Sequence, residues 1–378
     1  MGLLFNSSYP DKFGYYTVGE KKSYSKLEAL EWGEPEWRFN DEVFSDIDWT
    51  IEPPFDLWEL YKQRAKQIRE QYDYVVLMYS GGSDSHNLLN AFLDADCKID
   101  EIATFWDYEK TGDKDSYINA EVTRVVLPHI RKLQNEGHKF KFTLIDQSKV
   151  NQEPFNHKLD YEYYFNCLTT VNGLSKNFFR HHMKQWKDMI DNTSKKLVLV
   201  WGKEKPCIFY DNNLKKYYFQ FYDQIDDAVG CYVQKNYSKG WYDELFYWTP
   251  DNPLIVIKQA HIIKRFLRTC HIKQFYQPPY SFFGYNEVLD MYLQKRFFEK
   301  LIYPKWDTNT FSNGKHGLNS EKRKTIHSPR DIEFLNGNSD NKQKYLSLIS
   351  YVAKKNIEKN NFKFFQIPLR FSKQYWLE

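Results

Sequence analysis

Ser80-Gly81-Gly82-Ser83-Asp84-Ser85 is the stretch of this chain whose residue types and spacing suit the holding of a phosphate. Gly81 and Gly82 permit positive φ and leave no Cβ in the way, so a run of backbone N–H groups can converge on an anion. The residues before it, Tyr74-Val75-Val76-Leu77-Met78-Tyr79, are apolar or aromatic without alternation, which suits a strand buried on both faces of a parallel sheet. The residues after it place Leu88, Leu89, Phe92 and Leu93 on one face of a helix. Ser83 or Asp84 is expected to cap that helix, so that the positive end of its dipole points at the same spot. Strand, tight loop and helix together make a phosphate cradle. Neither Gly-x-x-x-x-Gly-Lys-Ser/Thr nor Gly-x-Gly-x-x-Gly occurs, which argues against two common nucleotide loops.

All six positions of the loop match the Ser-Gly-Gly-x-Asp-Ser signature, and in this the chain resembles the PP-loop ATP pyrophosphatases. That superfamily of adenine-nucleotide α-hydrolase-like proteins includes the synthetase domain of asparagine synthetase, GMP synthetase, PAPS reductase and several tRNA-modifying enzymes. The resemblance implies a HUP/Rossmann-like fold with ATP and Mg2+ as cofactors. It implies that Ser80, Gly81, Gly82, Ser83, Asp84 and Ser85 hold the departing pyrophosphate, that Asp84 helps to bind magnesium, and that ATP is split at its α-phosphate to adenylate a substrate. It also makes Thr104, Phe105 and Trp106, at the end of the next strand, adenine contacts made largely through the backbone, unless the two rings are core; Asp107 is a ribose or metal candidate. Gly202-Lys203-Glu204-Lys205-Pro206 resembles the second conserved element of the superfamily, with Lys where Arg is frequent and the acid one place early. On that reading Gly202 borders the nucleotide and Lys203 and Lys205 screen the charge that builds on the α-phosphate and pyrophosphate. Glu204 then shares magnesium with Asp84. A solvated charged turn is the alternative.

The elements that must position these groups alternate. Leu57, Leu60, Tyr61, Ala65 and Ile68 have helical spacing and deliver the chain to the first strand. Glu101–Trp106, Lys139–Asp146 and Lys196–Trp201 are further strand candidates. Ser116–Gln134, which Pro128 must kink or interrupt, and Arg180–Asn192 are the helices between them. Strands separated by helices mean βαβ units, an α/β class and a doubly wound parallel sheet. Ligands then sit beyond the carboxyl ends of the strands, at the switch in strand order, where the loop, Trp106 and Gly202 would all lie. The expected division is an aromatic-rich N-terminal appendage over 1–55, a nucleotide-binding domain over 56–212 and a mainly helical substrate or lid region over 213–378. Tyr217–Tyr222 reads as a hairpin strand. Leu254–Cys270 reads as a helix whose Lys258, Lys264, Arg265 and Arg268 either grip a substrate phosphate or form a solvated face. Lys176 and Arg180 are plausible substrate anion ligands in a stretch with no specific motif.

Composition bounds the function without choosing it. At 378 residues the chain has material for one large or two ordinary domains, and a net charge of +3 neither demands nor forbids an acidic partner. Five cysteines, Cys97, Cys167, Cys207, Cys231 and Cys270, are never spaced as Cys-x-x-Cys, which argues against a disulfide framework or zinc site and for a reducing compartment. With no apolar run of membrane-spanning length and no signal-like start, a cytoplasmic location is expected. Three classes stay open. The first is an AMP-forming ligase or amidotransferase-like enzyme, without a built-in glutaminase because Gly2 stands where such chains carry Cys after Met1. The second is PAPS-reductase-like or tRNA-thiolating sulfur chemistry. The third is a non-catalytic nucleotide-binding module. The acceptor, a small molecule, nucleobase, tRNA or peptide, has no signature.

Overall fold

The computed structural model describes residues 11–24, 26–106, 119, 121–146, 183–203, 206–223, 240–269, 299–306 and 370–378, with 26, 27 and 30 described through the backbone alone. Asp107, Lys176, Arg180, Glu204 and Lys205 lie outside the described residues. A small antiparallel sheet comes first, with β1 (Tyr15–Val18) between β2 (Lys21–Ser23) and β3 (Glu36–Arg38). The helix α1 (Lys26–Trp32) lies between β2 and β3 in sequence, and α2 (Asp41–Ser45) follows β3. The long helix α3 (Leu57–Gln71) starts at Asp56, whose carboxylate accepts from the backbone N–H groups of Trp58 and Glu59 at 2.8 and 3.2 Å. That is the cap an extended Asp supplies to otherwise unpaired donors. Leu57, Leu60, Tyr61, Ala65 and Ile68 are buried along α3, as their spacing requires.

The main sheet then forms from β4 (Tyr74–Met78), β5 (Glu101–Trp106), β6 (Lys141–Asp146), β7 (Leu197–Trp201) and β10 (Trp241–Leu245), all parallel, in the order β10-β7-β4-β5-β6. Between these strands run α4 (Ser83–Asp94), α5 (Leu127–Asn135) and α6 (Lys184–Thr193). Helices cover both faces. Arg64 of α3 reaches Glu244, which pairs with Val200 and so shares the row of Leu77, whereas Trp186 of α6 reaches Glu101, in the row of Val76. Leu77 and Val76 are neighbours on one strand and point to opposite faces, so the sheet is doubly wound. Every residue of β7 is buried and only Tyr74 of β4 is not, the pattern of parallel strands covered on both sides.

One feature departs from the sequence reading and another gives it detail. The fifth strand, β10, belongs to the main parallel sheet yet lies past residue 212, where the sequence suggested that the domain holding this sheet would end. The interruption expected at Pro128 takes a particular form. A π-helical turn, Val122–Val126, precedes it, the N–H of Leu127 bonds back to Val122 O, and Pro128 then sits in the first turn of α5, where its missing donor is not needed.

A second antiparallel sheet is built from β8 (Cys207–Asp211), β9 (Lys216–Gln220) and β11 (Tyr375–Trp376), in the order β11-β9-β8. The sequence suggested a hairpin near Tyr217, and β9 forms one with β8. Rings from the N-terminal region pack on it: Phe39 and Phe44 lie 4.5 and 4.6 Å from Phe221, and Trp49 stacks 4.6 Å from Tyr375. These rings are continuous with the core of the main sheet. The helix α7 (Leu254–Thr269) packs on α3, and the short α8 (Glu299–Ile302) packs on α7. No described helix is long and apolar enough to cross a membrane.

Candidate nucleotide site

The chain leaves β4, passes outward through β5 and β6, and returns on the other side of β4 as β7. The switch in strand order therefore falls between β4 and β7, where an open α/β sheet has its crevice. Ser80–Gly82 leaves β4 at that point. Gly81 adopts φ +74, which a side chain would strain, and a Cβ there would also come within 3.0 Å of Val126 in the π-helical turn. The loop is braced from within: Ser80 N donates to Ser85 Oγ at 3.2 Å, Gly82 N to Ser80 Oγ at 3.3 Å, and Ser85 Oγ to Gly82 O at 3.2 Å. Behind it, Thr104 Oγ1 donates to Tyr79 O at 2.6 Å and fixes the end of β4.

The cap differs from the sequence expectation. Gly82, not Ser83 or Asp84, stands at the N-cap of α4, with extended backbone and no side-chain cap hydrogen bond. The side chains of the first turn are used elsewhere. Ser83 Oγ donates to Glu299 Oε1 at 2.7 Å, Tyr303 Oη donates to Asp84 Oδ1 at 2.5 Å, and Tyr247 Oη donates to Asp84 O at 2.7 Å. Burial, and then the negative charge of Asp84, push the Tyr303 phenol well above its ordinary range, so it stays a donor. Two positions beyond Asp84, His86 lies with Nδ1 3.2 Å from Tyr79 Oη, its ring 4.7 Å from that of His129 and 5.7 Å from Trp306. Burial first, then the neighbouring His129 and Lys132, lower its pKa to about 3.

Gly202, at the end of β7, is pressed against this turn. A Cβ there would come within 2.9 Å of the backbone C and O of Asp84 and of Ser85 Cα. A second backbone thus approaches the start of α4 as closely as van der Waals contact allows, and Lys203 follows directly, half-buried. Of the groups chosen from the sequence, Ser80, Gly81, Gly82, Ser83, Asp84, Ser85, Gly202 and Lys203 converge at this switch point. Thr104 is buried and spent on Tyr79 O. Phe105 is half-buried and stacks 6.4 Å from Trp201, bridging the ends of β5 and β7 over β4. Trp106, the last residue of β5, is half-buried and paired with Asp146 of β6.

The basic residues of α7 are tethers. Lys258 and Arg265 pair with Glu52, Lys264 donates to Leu377 O at 2.6 Å and Arg268 pairs with Glu378, so they hold neighbouring segments of this chain. Sequence reasoning missed Tyr303, Tyr247 and Glu299. Tyrosine has no local signature, and the contacts Tyr247–Asp84 and Tyr303–Asp84 span 163 and 219 residues.

No protein-family model matches the chain, and no curated protein matches it. Among solved structures the chain is similar to the NH3-dependent NAD synthetase from Campylobacter jejuni subsp. jejuni NCTC 11168 in complex with the nitrate ion. The identity is 12%, with 71% of this chain and 96% of that chain covered and a TM-score of 0.27. The architecture described above stands on the strand pairings themselves.

Proposed function

We propose that this chain is a PP-loop ATP pyrophosphatase that cleaves ATP to AMP and pyrophosphate in order to adenylate an acceptor, in the manner of an AMP-forming ligase. The observation that carries the reading is the Ser80–Ser85 hexapeptide, which runs from the turn after β4 into the first residues of α4 at the switch in strand order, with Gly202 pressed against the same turn. The cradle suits a phosphate chain. No side chain caps α4, Gly81 holds a positive φ, and the two backbones meet without an intervening Cβ. Asp84, at the first turn, is the residue that would hold magnesium, with Glu204 as its partner; the ion supplies charge neutralisation for the leaving pyrophosphate.

The chain's own groups do the rest. Backbone N–H groups of the loop and of the first turn of α4 orient the phosphates, and Lys203 and Lys205 are assigned to oppose the charge that grows there. The Phe105–Trp201 edge offers an apolar wall for the adenine. An acceptor oxygen attacks the α-phosphate, the bond from that phosphorus to the bridging oxygen breaks, and a nitrogen nucleophile then displaces AMP. Lys176 and Arg180 are proposed to bind the acceptor.

The test is incubation of the protein with ATP and Mg2+ and a panel of metabolites and tRNA, with products resolved by chromatography. AMP and pyrophosphate in equal amounts are expected. ADP and phosphate, or no Mg-ATP binding at all, would overturn the reading.

A further inference from the structure

We infer that Tyr303 is a positioning residue for Asp84, delivered by a strap of the chain that is seated along the whole length of α4. This rests on the reading that Asp84 holds magnesium. The strap, residues 299–306, contacts α4 and its surroundings at several points. Glu299 accepts from Ser83 at 2.7 Å, Tyr303 donates to Asp84 at 2.5 Å, Trp306 meets the His86 ring at 5.7 Å, and Lys305 pairs with Asp94 in the last turn. A further contact is its anchor: Tyr61 Oη of α3 donates to Ile302 O at 2.7 Å, while Gln259 of α7 donates to that same hydroxyl at 2.8 Å.

Tyr303 is fully buried and its ring lies 5.5 Å from that of Tyr247, whose own hydroxyl holds the main-chain oxygen of Asp84. Asp84 is therefore gripped at two places by two tyrosines, one on its carboxylate and one on its backbone. A carboxylate with one oxygen pinned has a fixed plane, and a fixed plane is what a hard cation with strict geometry requires of its ligand. A seat this buried is that of a permanent brace and not of a detachable plug. Tyr303 reaches the Asp84 carboxylate and acts through it.

The measurement is the magnesium concentration giving half-maximal binding of ATP, read by titration calorimetry on the full chain, in wild type, Tyr303→Phe and Tyr247→Phe. Loss of a residue that orients a metal ligand typically weakens the metal about 10-fold or more. Tyr303→Phe is expected to raise the half-maximal magnesium concentration by about 10-fold, while Tyr247→Phe, which leaves the carboxylate bond in place, changes it less than about 3-fold. If Tyr303→Phe does not fold, Tyr61→Phe takes its place, since it unseats the strap at Ile302 without altering the loop; a raised magnesium requirement again supports the inference. An unchanged magnesium requirement in the folded variant, or an equal rise in Tyr247→Phe, overturns it while leaving the ATP reading intact. Absence of magnesium-dependent ATP binding in wild type overturns both.

Discussion

Asp84 shows how one residue's environment changes the expected effect of replacing it. Taken from the sequence alone it is a helix cap with a metal role, and its loss would cost about 1 kcal/mol. In the structure Gly82 takes the cap position and Asp84 accepts a hydrogen bond from a fully buried tyrosine. Asp84→Ala removes the carboxylate that accepts from the buried Tyr303 hydroxyl, which costs about 1–3 kcal/mol. Asp84→Asn keeps an oxygen for Tyr303 to donate to but removes the negative charge. The expected pattern is therefore split: Asp84→Asn unfolds in urea near the wild-type midpoint yet loses ATP cleavage, and Asp84→Ala loses both stability and cleavage. Cleavage by Asp84→Asn at the wild-type rate would remove this carboxylate from the chemistry. Legibility at this scale follows distance along the chain. The loop residues are six neighbours in sequence and could be read directly, whereas the groups that hold Asp84 come from far away and carry no mark of it.

Among the elements, the contact of α4 with α5 makes a pH-sensitive joint. His86 and His129 face each other at 4.7 Å, with Tyr79, Trp306 and Lys132 around them. Burial depresses both histidines, His86 to about 3. The folded value of His86 lies below its unfolded value of 6.5, so the unfolded chain binds the proton more readily. Its contribution to stability is complete above pH 6.5 and is lost as the pH falls toward about 3, at up to about 1.4 kcal/mol per pH unit. Glu244, Asp100 and Glu52, all held below their ordinary values, release stability only at lower pH, which separates the two effects. Unfolding midpoints measured from pH 7 to pH 5 should fall steadily in wild type and less steeply in His86→Phe, which keeps a ring against Trp306 but cannot titrate. Equal slopes would show that His86 is not the group responsible. The helices and strands making this joint were largely visible in sequence, because α4 and β4 carry unbroken hydrophobic patterns. The π-helical turn was not, since no residue type marks the extra backbone step that lets Pro128 start a new helix.

At the scale of the whole molecule, the N-terminal segment, α3 and the fifth strand are joined through one buried carboxylate. Glu244 accepts from Lys12 at 2.6 Å, from Arg64 at 2.8 Å and from Tyr72, and Arg64 also pairs with Asp251 at 3.4 Å. This explains why β10 was not legible. Asp243 and Glu244 interrupt the apolar run of Trp241–Leu245, and a charged pair in a strand reads as surface until its partners, Trp201 and Arg64, are known. Burial pushes the Glu244 carboxyl upward, but Lys12 and Arg64 outweigh it and hold the group ionised. Such a network is costly to break and cheap to replace as a whole, because removing one partner strands the opposite charge away from water. Glu244→Leu leaves Arg64, with no exposed side-chain surface, facing an apolar group, and should cost about 3–5 kcal/mol. Lys12→Met/Arg64→Met/Glu244→Leu removes the three charges that meet at Glu244, leaving the partly exposed Asp251 without Arg64, and should still be less destabilised than Glu244→Leu alone, a sign that the single loss reflects stranded charge and not lost packing. Urea unfolding of the single and triple variants at one pH decides it. A triple variant at least as unstable as the single one would mean that shape, and not charge pairing, ties the fifth strand to the N-terminal segment.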